Sequence, residues 1–350
     1  MPHGKHLPAT PNQQEDGNEN LKDGRLLLPY LLGSYLLYLH SQGGQMSKLK
    51  VGLALDMDYL IFSAMSASEE EVDWGEDVWT LNCDHNKARS ILFGTIKTIK
   101  ADIAGQLKRK FKLTEDKYEF VDLCIISGEN NWRKDVLETY KANRKGKRKP
   151  VGYPAFCQGI MDYFGPDRSF KWDGVEGDDV CGILMTKPEL AGCDRMISVS
   201  CDKDFNTVPG YFFWLTQMDL VKNDEETANR FHMLQAMMGD VTDGYGGIPG
   251  IGKETAKAFL DDPEWFYEAT KVMKSGPRKG EEVPYWTSVK VNEEDYSMGG
   301  KPSLWECMVS LAAKQGITEE DLKVQAQVAR ILRASDFDFE TRKPILWQPV

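Results

Sequence analysis

Nine acidic residues in this chain stand where strands or helices would begin or end, a pattern suited to divalent-metal and phosphate chemistry. Asp56 closes the apolar run Lys50–Leu55, and Glu129 follows the run Phe120–Ser127. Glu176, Asp178 and Asp179 open a helical stretch, Asp202 and Asp204 follow Arg195–Ser200, and Asp240 and Asp243 lie in a glycine-containing loop. Taken singly, each has a plain explanation as a helix cap or first-turn acid. Three acids within four residues at 176–179 exceed what capping needs. An open α/β sheet brings the C-terminal tips of its strands to one ligand-binding edge, so these carboxylates would gather there. Two like charges ~4 Å apart cost about 4 kcal/mol at an effective dielectric of ~20, so either their pKa values rise or cations bind. Two divalent ions about 4 Å apart would neutralise such a cluster and clamp the attacking and leaving oxygens of a phosphodiester. The competing reading, a rim of structural salt bridges, needs Lys or Arg interspersed among the acids, and in sequence Lys203 alone is.

The other chemistry-bearing stretch is Gly239–Ala256, GDVTDGYGGIPGIGKETA. Gly247, Gly250 and Gly252 allow a tight turn and close approach to a ligand, and the amides opening the following helix, at Lys253, suit a phosphate. An ordinary glycine turn between helices would read the same. Tyr140–Pro150 carries six Lys or Arg and no acid, in a protein of net charge −11. Lys141, Arg144, Lys145, Lys147, Arg148 and Lys149, with Trp132, Arg133, Lys134 and Tyr140 before or among them, interleave cations with aromatics. That pattern suits a single strand of nucleic acid, with cations on phosphates and rings on bases; a solvated surface run is the alternative.

These residues need a scaffold to hold them. The 350 residues, 41% hydrophobic and 11% aromatic, suffice for a large α/β body with appended modules. Seven cysteines without a C-x-x-C pair and five histidines offer neither a disulfide framework nor a zinc site. A reducing cytosol fits, and any metal would be oxygen-ligated Mg²⁺ or Mn²⁺. The acidic net charge argues against broad nucleic-acid affinity, leaving the basic stretch as a local exception. Strands are expected at Lys50–Leu55, Phe120–Ser127, Arg195–Ser200 and Tyr211–Leu215. Helices are expected at Asp84–Lys108, Tyr153–Phe164, from Val175 through Met185, at Glu225–Met238, Ser303–Lys314 and Glu319–Ala334. Ser275–Gly300 reads as a mobile, Gly- and Lys-rich connection in a helical C-terminal portion. Residues 1–46 read as an N-terminal extension, disordered or the product of an upstream start, with Met46 as the alternative start. Its apolar run Leu26–Leu39 is broken by Pro29 and Gly33 and is too short to span a bilayer.

The succession LALDMD, SGEN, NWRK, YKANR, VEGDD, SCDKDF and GDVTDGY…GIPGIG resembles the flap endonuclease / 5′-nuclease superfamily. It is most similar to the 5′-to-3′ exonucleases of short-tailed bacteriophages, and the likeness runs from about Val51 to Trp347. The resemblance implies an α/β fold with a PIN-like, mostly parallel sheet flanked by helices, a helical arch at 131–152 and a helix–hairpin–helix at 247–260. It divides the chain into a catalytic domain at 47–220 and a helical C-terminal region at 221–350. By position, Asp56, Glu176 and Asp178 match a first metal site, and Asp202, Asp204 and Asp240 a second, with Asp243 close by and Asp179 further out, behind the ligands. Where relatives have Asp after the second strand this chain has Gly128-Glu129, so Glu129 serves only if the loop shifts. Lys141 and Arg144 match the residues that contact the scissile phosphate, and Gly247, Gly250 and Gly252 the hairpin that grips duplex. The implied activity is two-Mg²⁺ hydrolysis of duplex DNA from a 5′ end, of the RNA of RNA–DNA hybrids and of 5′ flaps. Primer removal, recombination and host DNA breakdown in the cytoplasm of an infected bacterium would be its roles. K⁺ at the hairpin and a phage single-stranded-DNA-binding protein or replisome as partner complete the expectation, without a membrane. A DNA-binding protein with a decayed metal site and a PIN-type ribonuclease are the alternatives.

Overall fold

The computed structural model describes residues 47–144, 146–291 and 300–349, and the expectations for residues 1–46 and for Lys145 fall outside them. Every element below belongs to the compact unit Lys48–Val350.

In chain order the elements begin with β1 (Leu49–Asp56), α1 (Met57–Ser66), β2 (Glu69–Asp73), β3 (Trp79–Cys83), α2 (His85–Phe111) and β4 (Tyr118–Ile125). There follow α3 (Arg133–Val136), α4 (Tyr153–Phe164), β5 (Ser169–Phe170), α5 (Gly177–Thr186), β6 (Arg195–Ser200), β7 (Gly210–Trp214) and β8 (Asp219–Asn223). The C-terminal region contributes α6 (Glu225–Met238), α7 (Lys253–Asp261), β9 (Glu264–Val272), β10 (Glu282–Lys290), α8 (Leu304–Lys314), α9 (Glu319–Ala329), β11 (Phe337–Asp338) and β12 (Lys343–Pro344).

A six-stranded sheet of order β5-β4-β1-β6-β7-β8 organises the unit. All its pairings are parallel except β7 with the edge strand β8. Parallel strands covered by helices on both faces are apolar throughout, and LKVGLALD at the centre is such a strand. Val51, Leu53 and Leu55 point into a core shared with α1, α2 and α4. Ala54 faces the opposite core, built on α5, and there Gly52 lets Met196 and Cys193 approach to within contact of its backbone. The chain leaves β1 for β4 and β5 on one side and later returns to β6 on the other. The crevice at the strand tips therefore opens beside β1, at Asp56, Ser127 and Ser200.

Local signals set the helix limits. Asp84 caps α2 by accepting from Asn86 N and Lys87 N, and Asp224 caps α6 by accepting from Thr227 N. Pro154 sits in the first turn of α4, where its missing N–H is harmless. A third core, with Leu234, Ile248, Phe259, Trp305 and Leu322, binds α6–α9 together.

Three expectations are corrected. The arch at 131–152 is not a continuous helix: among described residues it holds α3, a 3₁₀ turn at Ala142–Arg144, and turns. Cations crowded at helical spacing repel, and Gly146 takes a left-handed φ of 82°. The C-terminal portion is not purely helical, since β9 and β10 form an antiparallel hairpin, Glu264 opposite Lys290, across part of the expected mobile connection. Finally, α9 stops at Ala329, and Arg330 takes extended backbone geometry. No described helix is long and apolar enough to cross a membrane.

Candidate active site

The acids at the strand tips divide by their partners. Asp56 ends β1 and caps α1; its Oδ1 accepts from Tyr59 N at 3.2 Å and its Oδ2 from Ser200 Oγ at 2.8 Å. Burial and the neighbouring Asp58 raise its pKa to about 6. Asp178, in the first turn of α5, is pushed well above the ordinary carboxylate range by burial and by Asp56 and Asp202. Asp202 caps the 3₁₀ turn after β6, accepting from Asp204 N at 2.8 Å. Asp204 accepts from Gln235 Nε2 and is raised to about 8 by burial and Asp202. None of these four forms an ion pair with a described residue.

The remaining acids are paired with cations. Glu176 Oε1 lies 2.7 Å from Lys141 Nζ, and its Oε2 accepts from Arg133 Nη1 at 3.1 Å and Tyr140 Oη at 3.0 Å. Burial would raise Glu176, but Arg133 and Lys141 outweigh it and its pKa falls. Asp240 is lowered in the same way against burial by Lys203, 2.8 Å away. Asp243 meets Arg144 at 2.9 Å and Lys141 at 3.9 Å, and burial still raises it. The salt-bridge rim thus describes one half of the cluster, because cations distant in sequence reach it. Lys141 itself has a left-handed φ of 52°, which for a non-glycine residue costs of order 1 kcal/mol and tends to mark functional sites.

Several expected site residues have other work. Asp179 is fully buried and saturated. Its Oδ1 accepts from Arg133 Nη2 at 2.7 Å and Leu332 N at 3.1 Å, and its Oδ2 from Arg133 Nη1 at 2.7 Å and Trp132 Nε1 at 3.0 Å. No lone pair is left over for a metal, so Asp179 is an anchor. Trp132, Arg133 and Tyr140 are likewise corrected as nucleic-acid contacts. Arg133 is 2% exposed and donates further to Val328 O and Arg330 O, while the Trp132 and Tyr140 rings lie buried against its guanidinium. Glu129 is 82% exposed beside Lys171, in solvent rather than among the buried acids. Gly128 cannot carry an acid either, since a Cβ there would lie 1.8 Å from Trp172 O. Gly247 is buried against the backbone of Met237–Gly239 and gives its amide to Gln325, so it shapes the hairpin without facing a duplex.

Lys134, Lys147, Arg148 and Lys149 are exposed, as are Gly250, Gly252 and Lys253 at the start of α7. Arg148 is engaged by Glu69 at 2.8 Å. Asp58 was overlooked: its Oδ2 accepts from Ser127 N at 2.8 Å, bringing a carboxylate to the tip of β4 that Gly128 leaves bare. The signal was present in LALDMD, where the second acid was read only as part of a motif.

The donor set fits a divalent ion. Asp56, Asp178, Asp202 and Asp204 offer hard oxygens, and Gln235 Oε1 and Tyr245 Oη are buried there with no described hydrogen-bond partner. Burial and then the Asp204 charge push the Tyr245 hydroxyl upward. Among the described residues no three His, Cys, Asp or Glu side chains close into a cage; Mg²⁺ characteristically takes one or two carboxylates and fills its other positions with water and phosphate oxygens.

A carboxyl whose folded pKa exceeds its unfolded value binds its proton more tightly when folded, so stability falls as pH rises between the two values. For Asp56 that window runs from 3.8 to about 6, and for Asp204 from 3.8 to about 8. Chelator-treated protein is therefore expected to melt at a lower temperature at pH 8 than at pH 5, with millimolar Mn²⁺ restoring the loss at pH 8. Scanning calorimetry at both pH values checks this; a melting temperature indifferent to both variables would show that these carboxyls are not strained.

No protein-family model matches the chain. The exonuclease of Escherichia phage T7 is 39% identical over 302 residues, spanning 85% of this chain and 93% of that protein. The chain belongs to the phage exonuclease family, within the 5′-nucleases. The exodeoxyribonuclease of Enterobacteria phage T3, another member, is 37% identical over 302 residues, covering 85% of this chain and 92% of its own length. Among solved structures, the phage T5 5′-exonuclease aligns with a TM-score of 0.42 and 17% identity over 81% of this chain and 88% of its own. As a member of this exonuclease family the protein is a phosphodiester hydrolase.

Proposed function

We propose that the acids at the strand tips hold two Mg²⁺ ions and that the protein hydrolyses duplex DNA from its 5′ end, leaving 5′-phosphates and 3′-hydroxyls. It would also cut 5′ flaps and the RNA of RNA–DNA hybrids, in primer removal, recombination and host DNA breakdown in the cytoplasm of an infected bacterium. What carries the reading is that Asp56, Asp178, Asp202 and Asp204, three of them with raised pKa values, lie without ion-pair partners among the described residues, with the Lys141 ammonium acting on Asp178. Asp56, Asp178 and Glu176 would hold one ion, and Asp202, Asp204 and Asp240 the other. When bound, the ions would draw charge from the phosphodiester and from its entering and leaving oxygens.

The chain's own groups do the rest. Glu176 and Asp243 hold up the Lys141 pKa against burial, so the ammonium stays protonated and can complement charge on the phosphate. Arg144, half-exposed beside Asp243, can turn toward the same phosphate. Lys134, Lys147 and Lys149 would attract the 5′ end, while Gly250, Gly252 and the amides of Lys253 onward would grip duplex backbone, with K⁺ at the hairpin carbonyls.

Titration of Mg²⁺ against 5′-labelled duplex tests the proposal: mononucleotides or short products should appear with ion concentration. Duplex binding without ion-dependent release would mean a decayed site, and preferential cutting of single-stranded RNA a PIN-type ribonuclease. In the same assay Lys141→Ala should lower turnover by on the order of 10²-fold, the scale for one electrostatic contact, and change duplex affinity about 2-fold or less. Weakened binding with unchanged turnover would make Lys141 a binding residue.

A further inference from the structure

We propose that Asn143 and Gly244 are positioning residues for Lys141, acting through a latch between segment 139–144 and loop 240–245. The inference rests on the role given to Lys141 above. Thr139 Oγ1 donates to Gly244 O at 3.1 Å, and Lys141 N donates to Asp243 O at 2.8 Å. Asn143 Nδ2 donates to Thr242 O at 3.1 Å and reaches Val241 O at 3.4 Å. Contacts at 139, 141 and 143 thus meet 244, 243 and 242–241, an antiparallel zipper running past the lysine on both sides.

Lys141 needs such support because of its left-handed φ of 52°. An unsupported lysine relaxes to negative φ, and its side chain would then leave the carboxylates. In the latched geometry Nζ sits 2.7 Å from Glu176 and 3.9 Å from Asp243. The loop side of the latch also requires a particular residue. Gly244 has φ +86°, and a Cβ there would lie 2.4 Å from Thr139 O and 3.4 Å from Lys141 N. Any side chain at 244 pushes the two segments apart at the point where the lysine is held. Asn143 is exposed, and its side-chain hydrogen bonds among the described residues go to Thr242 O and Val241 O, so its work is at the latch.

Cleavage of 5′-labelled duplex under single-turnover conditions by Asn143→Ala and Gly244→Ala, each in the wild-type and the Lys141→Ala background, tests the proposal. Misplacing a catalytic group by a fraction of an ångström lowers rate strongly. Each variant should therefore lose about 10-fold or more in turnover in the wild-type background, with duplex affinity within about 2-fold. In the Lys141→Ala background each should lose less than about 2-fold, because residues that act through one group are not additive. Equal losses in both backgrounds, or wild-type turnover of Asn143→Ala, overturn the latch. A second readout needs no cleavage: Asn143→Ala should speed amide hydrogen exchange across 139–144 and 240–245 together, and unchanged exchange also overturns it. An inactive wild-type protein would defeat the functional reading alone, and the exchange result would still decide the latch.

Discussion

Asp178→Asn is expected to lower duplex cleavage by on the order of 10²- to 10³-fold, the scale for one deleted electrostatic contact, and at the same time to stabilise the ion-free protein. The two effects share one cause. Asp178 is half-buried, and burial together with the charges of Asp56 and Asp202 disfavours its own charge unless a cation is present. Asparagine keeps the shape and removes the charge, and each pKa unit of relieved strain is worth about 1.4 kcal/mol. The folded pKa is raised, so the stabilisation appears above the unfolded carboxylate value and grows toward neutral pH. Turnover of 5′-labelled duplex, together with melting in chelator at pH 8, measures both. A variant that loses activity and also loses stability would mean that Asp178 is a structural acid. One that keeps activity would remove it from the site.

Arg133→Ala should be the most damaging single change to the fold. The guanidinium is 2% exposed and joins Asp179, Glu176 and the carbonyls of Val328 and Arg330. Removing it leaves Asp179 buried with an uncompensated charge, which typically costs 3–5 kcal/mol, about a third or more of an ordinary domain's stability. A fall in melting temperature of roughly 10 °C is the corresponding scale. Arg133→Met/Asp179→Leu, which removes both charges and retains volume, should recover part of the loss. If Arg133→Ala instead melted like wild type and bound duplex poorly, Arg133 would regain the nucleic-acid role that its neighbours Trp132 and Lys134 suggested in sequence. Chemical denaturation and duplex titration of the same samples separate these outcomes.

Much of the frame was legible because its signals are local. The apolar periodicity and end signals at Tyr153–Phe164, Arg195–Ser200 and Glu225–Met238 set limits that the structure reproduces. The hairpin at Glu264–Lys290 was not read, although EWFYEATKV and EVPYWTSVK are rich in aromatic and β-branched residues. The intervening Gly and Lys residues masked the pairing, whose partners lie up to 26 residues apart (290 − 264). The basic stretch was legible as charge, yet not as geometry. Its aromatics turned inward, because Trp132 Nε1 and Tyr140 Oη find buried carboxylates to donate to.

The amino-acid sequence alone determined most of the carboxylates at the sheet edge, since strand tips and helix caps depend on residues a few positions apart; Glu129, which lies in solvent, and Asp58, which reaches the tip of β4, are the exceptions. It also determined the glycine hairpin and the family, through the order of those motifs. Which acids are neutralised was decided only by tertiary structure. Arg133 reaches Asp179 across 46 residues of chain, Lys203 reaches Asp240 across 37, and Arg144 reaches Asp243 across 99. The energy of a carboxylate depends on the charges within a few ångströms of it and on its access to water, and neither is a property of its neighbours in sequence. The same chain of acids therefore became, on folding, one half paired with cations and one half without ion-pair partners among the described residues.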